Sequence, residues 1–331
     1  MSTTGNARHR GGSILLIFLS VILLPDMDPP LHTSSKPEDP GANNCYEPFH
    51  PEQQVTLQGV AINYSLSRAP GPEEPVVVLL HGFGASIQTW YDLHPFLETR
   101  YPVLRLDLKG FGFSSKIQDG RYSLEDQADL VVALIRELHF KRIVLVGHSY
   151  GGAVALLTVL SPRTHGNGPD IVGLILIDSA GYTQRLPFFV RHLRNPFTSF
   201  FTFNLMSPRA RAKHVLKKIF YSKARVTPAR IHRYAFFFGL AGSEDALRAA
   251  ALQIVPDQPE RFIDRLKEIS VPTLIIWGRQ DSVIPVSHAH RFQADIRGSE
   301  LYLVDWCGHV PHEERPEEVS PRIAAFLEGI K

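Results

Sequence analysis

Ile143-Val144-Leu145-Val146-Gly147-His148-Ser149-Tyr150-Gly151-Gly152 is the stretch on which the reading of this chain turns. Four consecutive branched apolar residues suit a strand covered on both faces, as in a parallel sheet. They run straight into Gly-x-Ser-x-Gly, after which residues 153–160 read as a helix. A strand, a tight turn and a helix around that pentapeptide would lift the Ser149 side chain above the end of the sheet. Gly147 and Gly151 lack the side chains that would keep strand and helix apart there. The start of the helix adds partial positive charge where an oxyanion would develop.

The same rhythm continues on both sides. Apolar and β-branched runs at 60–66, 76–80, 103–106, 172–177, 273–277 and 301–304 read as further strands. Residues 123–138 read as an amphipathic helix. Ser123 can cap it, Asp126 suits its first turn, and Leu124, Val131, Leu134, Ile135 and Leu138 form its apolar stripe. Residues 318–330 read as a closing helix. Strands alternating with helices predict an α/β fold with a mostly parallel, doubly wound sheet, and sites outside the carboxyl ends of its strands.

Composition excludes other classes. The 331 residues are 44% apolar and 21% charged, a globular balance. Thirty-five Lys and Arg against 33 Asp and Glu leave a formal charge of +2, which gives no reason to expect a nucleic-acid partner. Two cysteines, Cys45 and Cys307, exclude a disulfide scaffold, although an exported chain could pair them. No CxxC-type spacing suggests zinc, and no metal or organic cofactor is expected.

At the N-terminus, Arg8 and Arg10 precede the apolar run 14–24, which Pro25 stops. A helix needs roughly 20 residues to span a bilayer, so this shorter run suits a signal-peptide core or a short anchor. No small-x-small cleavage site follows, and cleaved signal and retained anchor both stay open. Either predicts a membrane-associated or exported protein. Seven prolines between 25 and 52 predict a spacer over 25–54 rather than packed structure.

Together these motifs resemble the α/β-hydrolase fold, and within it the lid-bearing serine esterases and lipases of the monoacylglycerol-lipase-like kind. Beside the Ser149 turn, His81-Gly82-Phe83-Gly84 follows strand 76–80 as the family's oxyanion-hole motif does. Asp107-Leu108-Lys109-Gly110-Phe111-Gly112-Phe113-Ser114 resembles its structural loop. The resemblance runs from about Val55 to the C-terminus. It implies the order nucleophile, acid, histidine: Ser149, then Asp281 in the loop after strand 273–277, then His309 after strand 301–304. Asp178, which ends strand 172–177, is the competing acid. The resemblance further implies that the backbone N–H groups of Phe83 and Tyr150 form the oxyanion hole, with His81 and His148 bracing the site. His309 would take the Ser149 proton during attack on an acyl carbonyl, while Asp281 orients the imidazole.

The resemblance also divides the domain, with a core over 55–181 and 271–331 and a helical cap over 182–270. Between Tyr182 and Ser243 lie twelve Lys or Arg, ten Phe and no acid, leaving −10 on the remainder of the chain. A Phe-lined acyl channel with a basic rim toward a lipid surface is one expectation; solvated charges on an ordinary cap are the other. Phe83, Tyr150, Phe188 and Phe189 are the candidate substrate contacts. The expected reaction is cleavage of carboxylic esters, small-molecule or lipid-like with long acyl chains, through an acyl-enzyme. Two alternatives stay open: C–C bond hydrolysis of a vinylogous keto-acid, and a slow-turnover ligand-sensing protein that keeps the triad.

Overall fold

The computed structural model describes residues 49–164, 168–256 and 258–330. The apolar run 14–24, Cys45 and most of the Pro-rich stretch lie outside the described residues. Among the described residues no helix is long and apolar enough to cross a membrane.

Eight strands form one sheet: β1 (Gln53–Leu57), β2 (Val60–Leu66), β3 (Val76–Leu80), β4 (Val103–Leu106), β5 (Arg142–His148), β6 (Asp170–Ile177), β7 (Thr273–Gly278) and β8 (Glu300–Val304). Their order is β1-β2-β4-β3-β5-β6-β7-β8. β1 and β2 are antiparallel to each other and β2 to β4; the remaining pairs are parallel. This is the mostly parallel α/β-hydrolase sheet expected from the sequence. The chain leaves β3 toward β4 on one side and returns to place β5 on the other. The switch between β3 and β5 therefore opens a crevice at their carboxyl ends.

Ordered packing starts earlier than the proline content suggests. Phe49 sets its ring 5.2 Å from Phe236 and 5.5 Å from Phe237, and β1 begins at Gln53, inside the stretch read as spacer. The β1–β2 turn has Gln58 (φ 51) and Gly59 (φ 82) in the left-handed region, the hairpin geometry that matches strand twist. β1 is mostly exposed, so it lacks the apolar run that marks the central strands.

Alternate residues of the central strands serve two cores. Leu145, Leu176 and Ile275 pack toward α2 (Leu124–Glu137) and α3 (Tyr150–Val159), meeting Val131, Leu134 and Val154. Val144, Val146, Ile175 and Ile276 face the other way, onto Leu97 of α1 (His94–Glu98) and onto Val319 and Ile323 near the C-terminus. Burial on both faces explains the unbroken apolar runs. Ser123 and Asp126 close a reciprocal capping box on α2.

Between β6 and β7 the chain inserts α4 (Phe188–Arg194), α5 (Pro196–Leu205), α6 (Pro208–Ile219), α7 (Pro228–Phe238), α8 (Ser243–Leu252) and α9 (Pro259–Arg265). Asn195-Pro196, Ser207-Pro208 and Thr227-Pro228 explain why it is cut into short helices. Each polar side chain caps the N–H groups of a helix whose first residue is proline. The core then closes with α10 (Ser287–Asp295), α11 (Pro311–Glu314) and α12 (Pro316–Glu328).

Candidate active site

Ser149 sits between β5 and α3 with φ 53 and ψ −116, a conformation most side chains avoid. Neighbours hold it there: its N–H donates to the Ile177 carbonyl at 3.0 Å, and its carbonyl accepts from Ala180 N at 2.9 Å. A Cβ on Gly147 would lie 2.5 Å from the Gly151 carbonyl oxygen, and one on Gly151 would strike the Leu80 carbonyl. Both glycines are therefore required by the closeness of strand and helix, as the pentapeptide implied.

Asp281 lies three residues past β7, its N–H tied to Gly278 O at 3.1 Å. Its Oδ1 accepts from Val283 N at 2.7 Å and Ile284 N at 3.1 Å, which leaves Oδ2 to meet His309 Nδ1 at 2.7 Å. His309 Nε2 is 2.8 Å from Ser149 Oγ. A carboxylate only accepts, so the proton on this imidazole belongs to Nδ1 and Nε2 faces the serine hydroxyl as acceptor. Ser149, His309 and Asp281 thus form one hydrogen-bonded chain. Asp281, not Asp178, touches the imidazole.

Asp178 lies behind that contact. It directly follows β6, wholly buried, and its Oδ1 accepts from Gly278 N at 3.1 Å. A side-chain N or O atom from each of Asp178, Asp281 and His309 lies within 4.8 Å of the others. Burial, and then the charge of Asp281, push the Asp178 carboxyl well above the usual range. Because Nδ1 of His309 is already bonded to Asp281, the three form an acid–acid–base chain rather than a set of metal ligands.

The bracing histidines are neutral. Burial lowers His81 to about 4, and its ring joins Gly82 O at 2.8 Å and Leu108 N at 3.0 Å. Burial, then His312 and His309, hold His148 well below its usual value, and its Nε2 lies 2.8 Å from the His309 carbonyl. Asp107 pins its Gly-rich turn through Ile87 N at 2.7 Å and Phe113 N at 2.9 Å.

The backbone N–H groups of Phe83 and Tyr150 have no hydrogen-bond partner among the described residues, and both residues line a cavity beside Ser149. The cavity holds about 120 Å³ and takes its walls from core and insertion alike, including Leu186, Phe189, Val190, Ile254 and Phe262. No charged side chain lines it among the described residues. Phe188 does not line it. Neighbouring residues on a helix point about 100° apart, so Phe189 turns inward while Phe188 packs on His214 with ring centroids 5.4 Å apart. Of the ten Phe in the basic stretch, Phe189 is the one in the cavity wall; the expected Phe-lined channel is instead walled largely by aliphatic residues from distant segments.

The insertion is joined to the histidine loop by polar contacts that the sequence did not reveal. Glu314, fully buried, accepts from Gly308 N at 2.9 Å in that loop and from Tyr221 N at 3.0 Å and Ser222 N at 2.5 Å beyond α6. Buried Arg230 of α7 meets Glu313 at 3.0 Å and Asp92 at 2.5 Å. Tyr234 and Thr89 add hydroxyl donors to Glu313 at 2.5 and 2.6 Å.

Residues 77–322 match the pattern of the Alpha/beta hydrolase family, and the chain belongs to that family. It is 29% identical over 283 residues to the uncharacterized hydrolase YugF of Bacillus subtilis (strain 168), covering 85% of this chain and 99% of that one. It is 28% identical over 293 residues to a 2-hydroxy-6-oxo-6-(2'-aminophenyl)hexa-2,4-dienoic acid hydrolase of Metapseudomonas resinovorans, covering 85% and 92%. Among solved structures it resembles a bacterial membrane phospholipase A, with a TM-score of 0.65 and 29% identity over 84% of this chain and 86% of that one.

Proposed function

We propose that this hydrolase cleaves carboxylic esters with apolar acyl chains, using Ser149 as nucleophile, His309 as general base and acid, and Asp281 as the acid that orients it. The observation that carries the reading is the uncharged, largely apolar cavity that ends at Ser149. Ser149 Oγ gives its proton to His309 Nε2 and bonds to the acyl carbon. The carbonyl oxygen takes the negative charge between the N–H groups of Phe83 and Tyr150. His309 then protonates the departing alkoxide as the C–O bond breaks, and a water activated by the same nitrogen releases the acid. A vinylogous keto-acid carries a carboxylate that would enter such a cavity without a cation to meet it, which costs several kcal/mol in an apolar wall. The similarity to a dienoic acid hydrolase therefore carries less weight than the cavity.

The insertion is read as a cap over that cavity, and a lipid–water interface as its surroundings. α5 presents Phe197, Phe200, Phe201 and Leu205 to solvent at 76, 60, 53 and 72% exposure, one stripe at helical spacing. In sequence, Arg191 and Arg194 on α4 precede it and Arg209, Lys213, Lys217 and Lys218 on α6 follow it, and none makes an ion pair among the described residues. An exposed aromatic stripe in a cation-rich stretch suits an anionic bilayer surface, to which the run 14–24, if retained as an anchor, would bring the domain. The solved membrane phospholipase A supports the same reading.

Labelling with a fluorophosphonate, followed by a panel of nitrophenyl esters of rising acyl length and a chromogenic dienoate, tests the proposal. Labelling, with turnover of medium or long esters above the dienoate, is the expected result. Preferential dienoate cleavage would establish C–C hydrolysis, and labelling without turnover of either would leave a ligand-sensing protein.

A further inference from the structure

Two carboxyl groups meet beneath the imidazole, and the serine–histidine–acid chain uses only one of them. Asp281 accepts three hydrogen bonds: two backbone N–H groups meet Oδ1, and the imidazole meets Oδ2. Asp178 has a single backbone donor, Gly278 N, and a carboxyl oxygen of it lies within 4.8 Å of one of Asp281. Neither side chain reaches water. The other titratable groups facing Asp178 give it no cation besides the imidazole: Glu314 adds a negative charge, and Cys307 is a buried thiol that burial pushes up. Two buried carboxylates this close cannot both keep their charge, so one proton resides on the pair. Three donors stabilise the charge of Asp281 and one that of Asp178, which leaves the proton to Asp178, and Oδ2 of Asp281 keeps a lone pair to accept it.

We propose that Asp178 is a positioning residue that stays protonated and donates its O–H to the Asp281 carboxylate. The bond would hold Asp281 square to His309 and spread its negative charge over a second carboxyl group. Ion pairing with the imidazolium would then be strong enough to orient it without fixing the proton there. The role of this bond in turnover rests on the proposed hydrolase reading; the protonation state does not.

Asp178→Asn and Asp178→Ala in the full chain test it. If Asp178 is neutral, Asn replaces one uncharged donor with another. The acidic limb of kcat/KM against pH, which reports His309, should then stay in place, with kcat within about threefold of wild type. If Asp178 is ionised, Asn removes a negative charge beside the imidazole, the imidazolium loses support, and the limb moves to lower pH. That shift would overturn the proposal. Ala removes the donor, leaves the Asp281 charge more concentrated and should move the limb to higher pH. It should also cut kcat about tenfold, the size of one hydrogen bond to a charged group. Wild-type kcat and an unmoved limb in Ala would refute the positioning role. Infrared spectroscopy reads the proton without any substrate: a neutral-carboxyl band at pH 7, present in wild type and lost in Asp178→Asn, is expected. Absence of that band in wild type refutes the proposal even if no ester is turned over.

Discussion

The backbone N–H of His309 donates to the carbonyl of Ile219, the last residue of α6, at 2.8 Å. The residue proposed to move the proton is thus seated directly on the insertion, and the seat is independent of its imidazole. Substitutions can therefore separate the chemistry of the ring from the support of its backbone.

Ring chemistry is tested by Ser149→Ala and Asp281→Asn. The first should end fluorophosphonate labelling and lower kcat on the order of 10⁶-fold. The second keeps an oxygen for Val283 N but presents an amide to the imidazole, favouring the wrong tautomer, and should lower kcat by about 10⁴-fold. Circular dichroism should report native folds for both. Full labelling of folded Ser149→Ala protein would assign the nucleophile elsewhere.

Backbone support is tested by Glu314→Ala. Losing the carboxylate leaves the buried N–H of Gly308 and the part-buried N–H groups of Tyr221 and Ser222 without their acceptor. Stability should fall on the order of 3 kcal/mol, read as a lower Tm, and kcat should fall with it as the histidine loop loosens. An unchanged Tm would show that this junction is dispensable.

Burial holds His312 at about 3, while its unfolded value is near 6.5. Its folded pKa is depressed, so its contribution to stability is complete above pH 6.5 and is lost as pH falls toward the folded value. His312→Phe removes the titration. The stability difference between wild type and variant should therefore shift against wild type by about 1.4 kcal/mol per pH unit below 6.5, measured by urea unfolding. Parallel curves for the two proteins would contradict the assignment of a neutral ring.

The proposed attraction to a bilayer surface would divide into two parts with different salt dependence. Lys213→Glu with Lys217→Glu should weaken co-sedimentation of the full chain with anionic vesicles at low salt, and the difference from wild type should shrink as ionic strength rises. Phe200→Ser with Phe201→Ser should weaken binding at low and high salt alike, because apolar insertion is not screened. Short soluble esters should be hydrolysed at wild-type rates by both, since neither change touches Ser149. Vesicle binding equal in all three proteins would remove the bilayer from the proposal.

Ser149, Asp281 and His309 were legible because each follows the end of a strand in a short motif that carries its own backbone geometry. The central strands were legible for a related reason: burial on both faces writes itself as a continuous apolar run. β1 left no such trace, because an exposed edge strand needs no apolar face. The choice between Phe188 and Phe189 needed the rotation of α4, which only packing fixes. The junction of Glu313 and Glu314 with the insertion joins side chains more than 75 residues apart, such as Tyr234 and Glu313 with |i−j| of 79, and no local pattern announces it. Asp178 was visible as a rival acid; its contact with Asp281 was not.

The seat of His309 also has a consequence for biosynthesis. Ser149 leaves the ribosome 160 residues before His309, its proposed base, does. The imidazole is then steadied only once Glu314 has followed and met the backbone beyond α6. An unfinished chain carries the tight serine turn without a partner to deprotonate it. On the proposed mechanism, hydrolytic competence is therefore withheld until the segment after β8 has been made, and a polypeptide broken off before His309 would be inert.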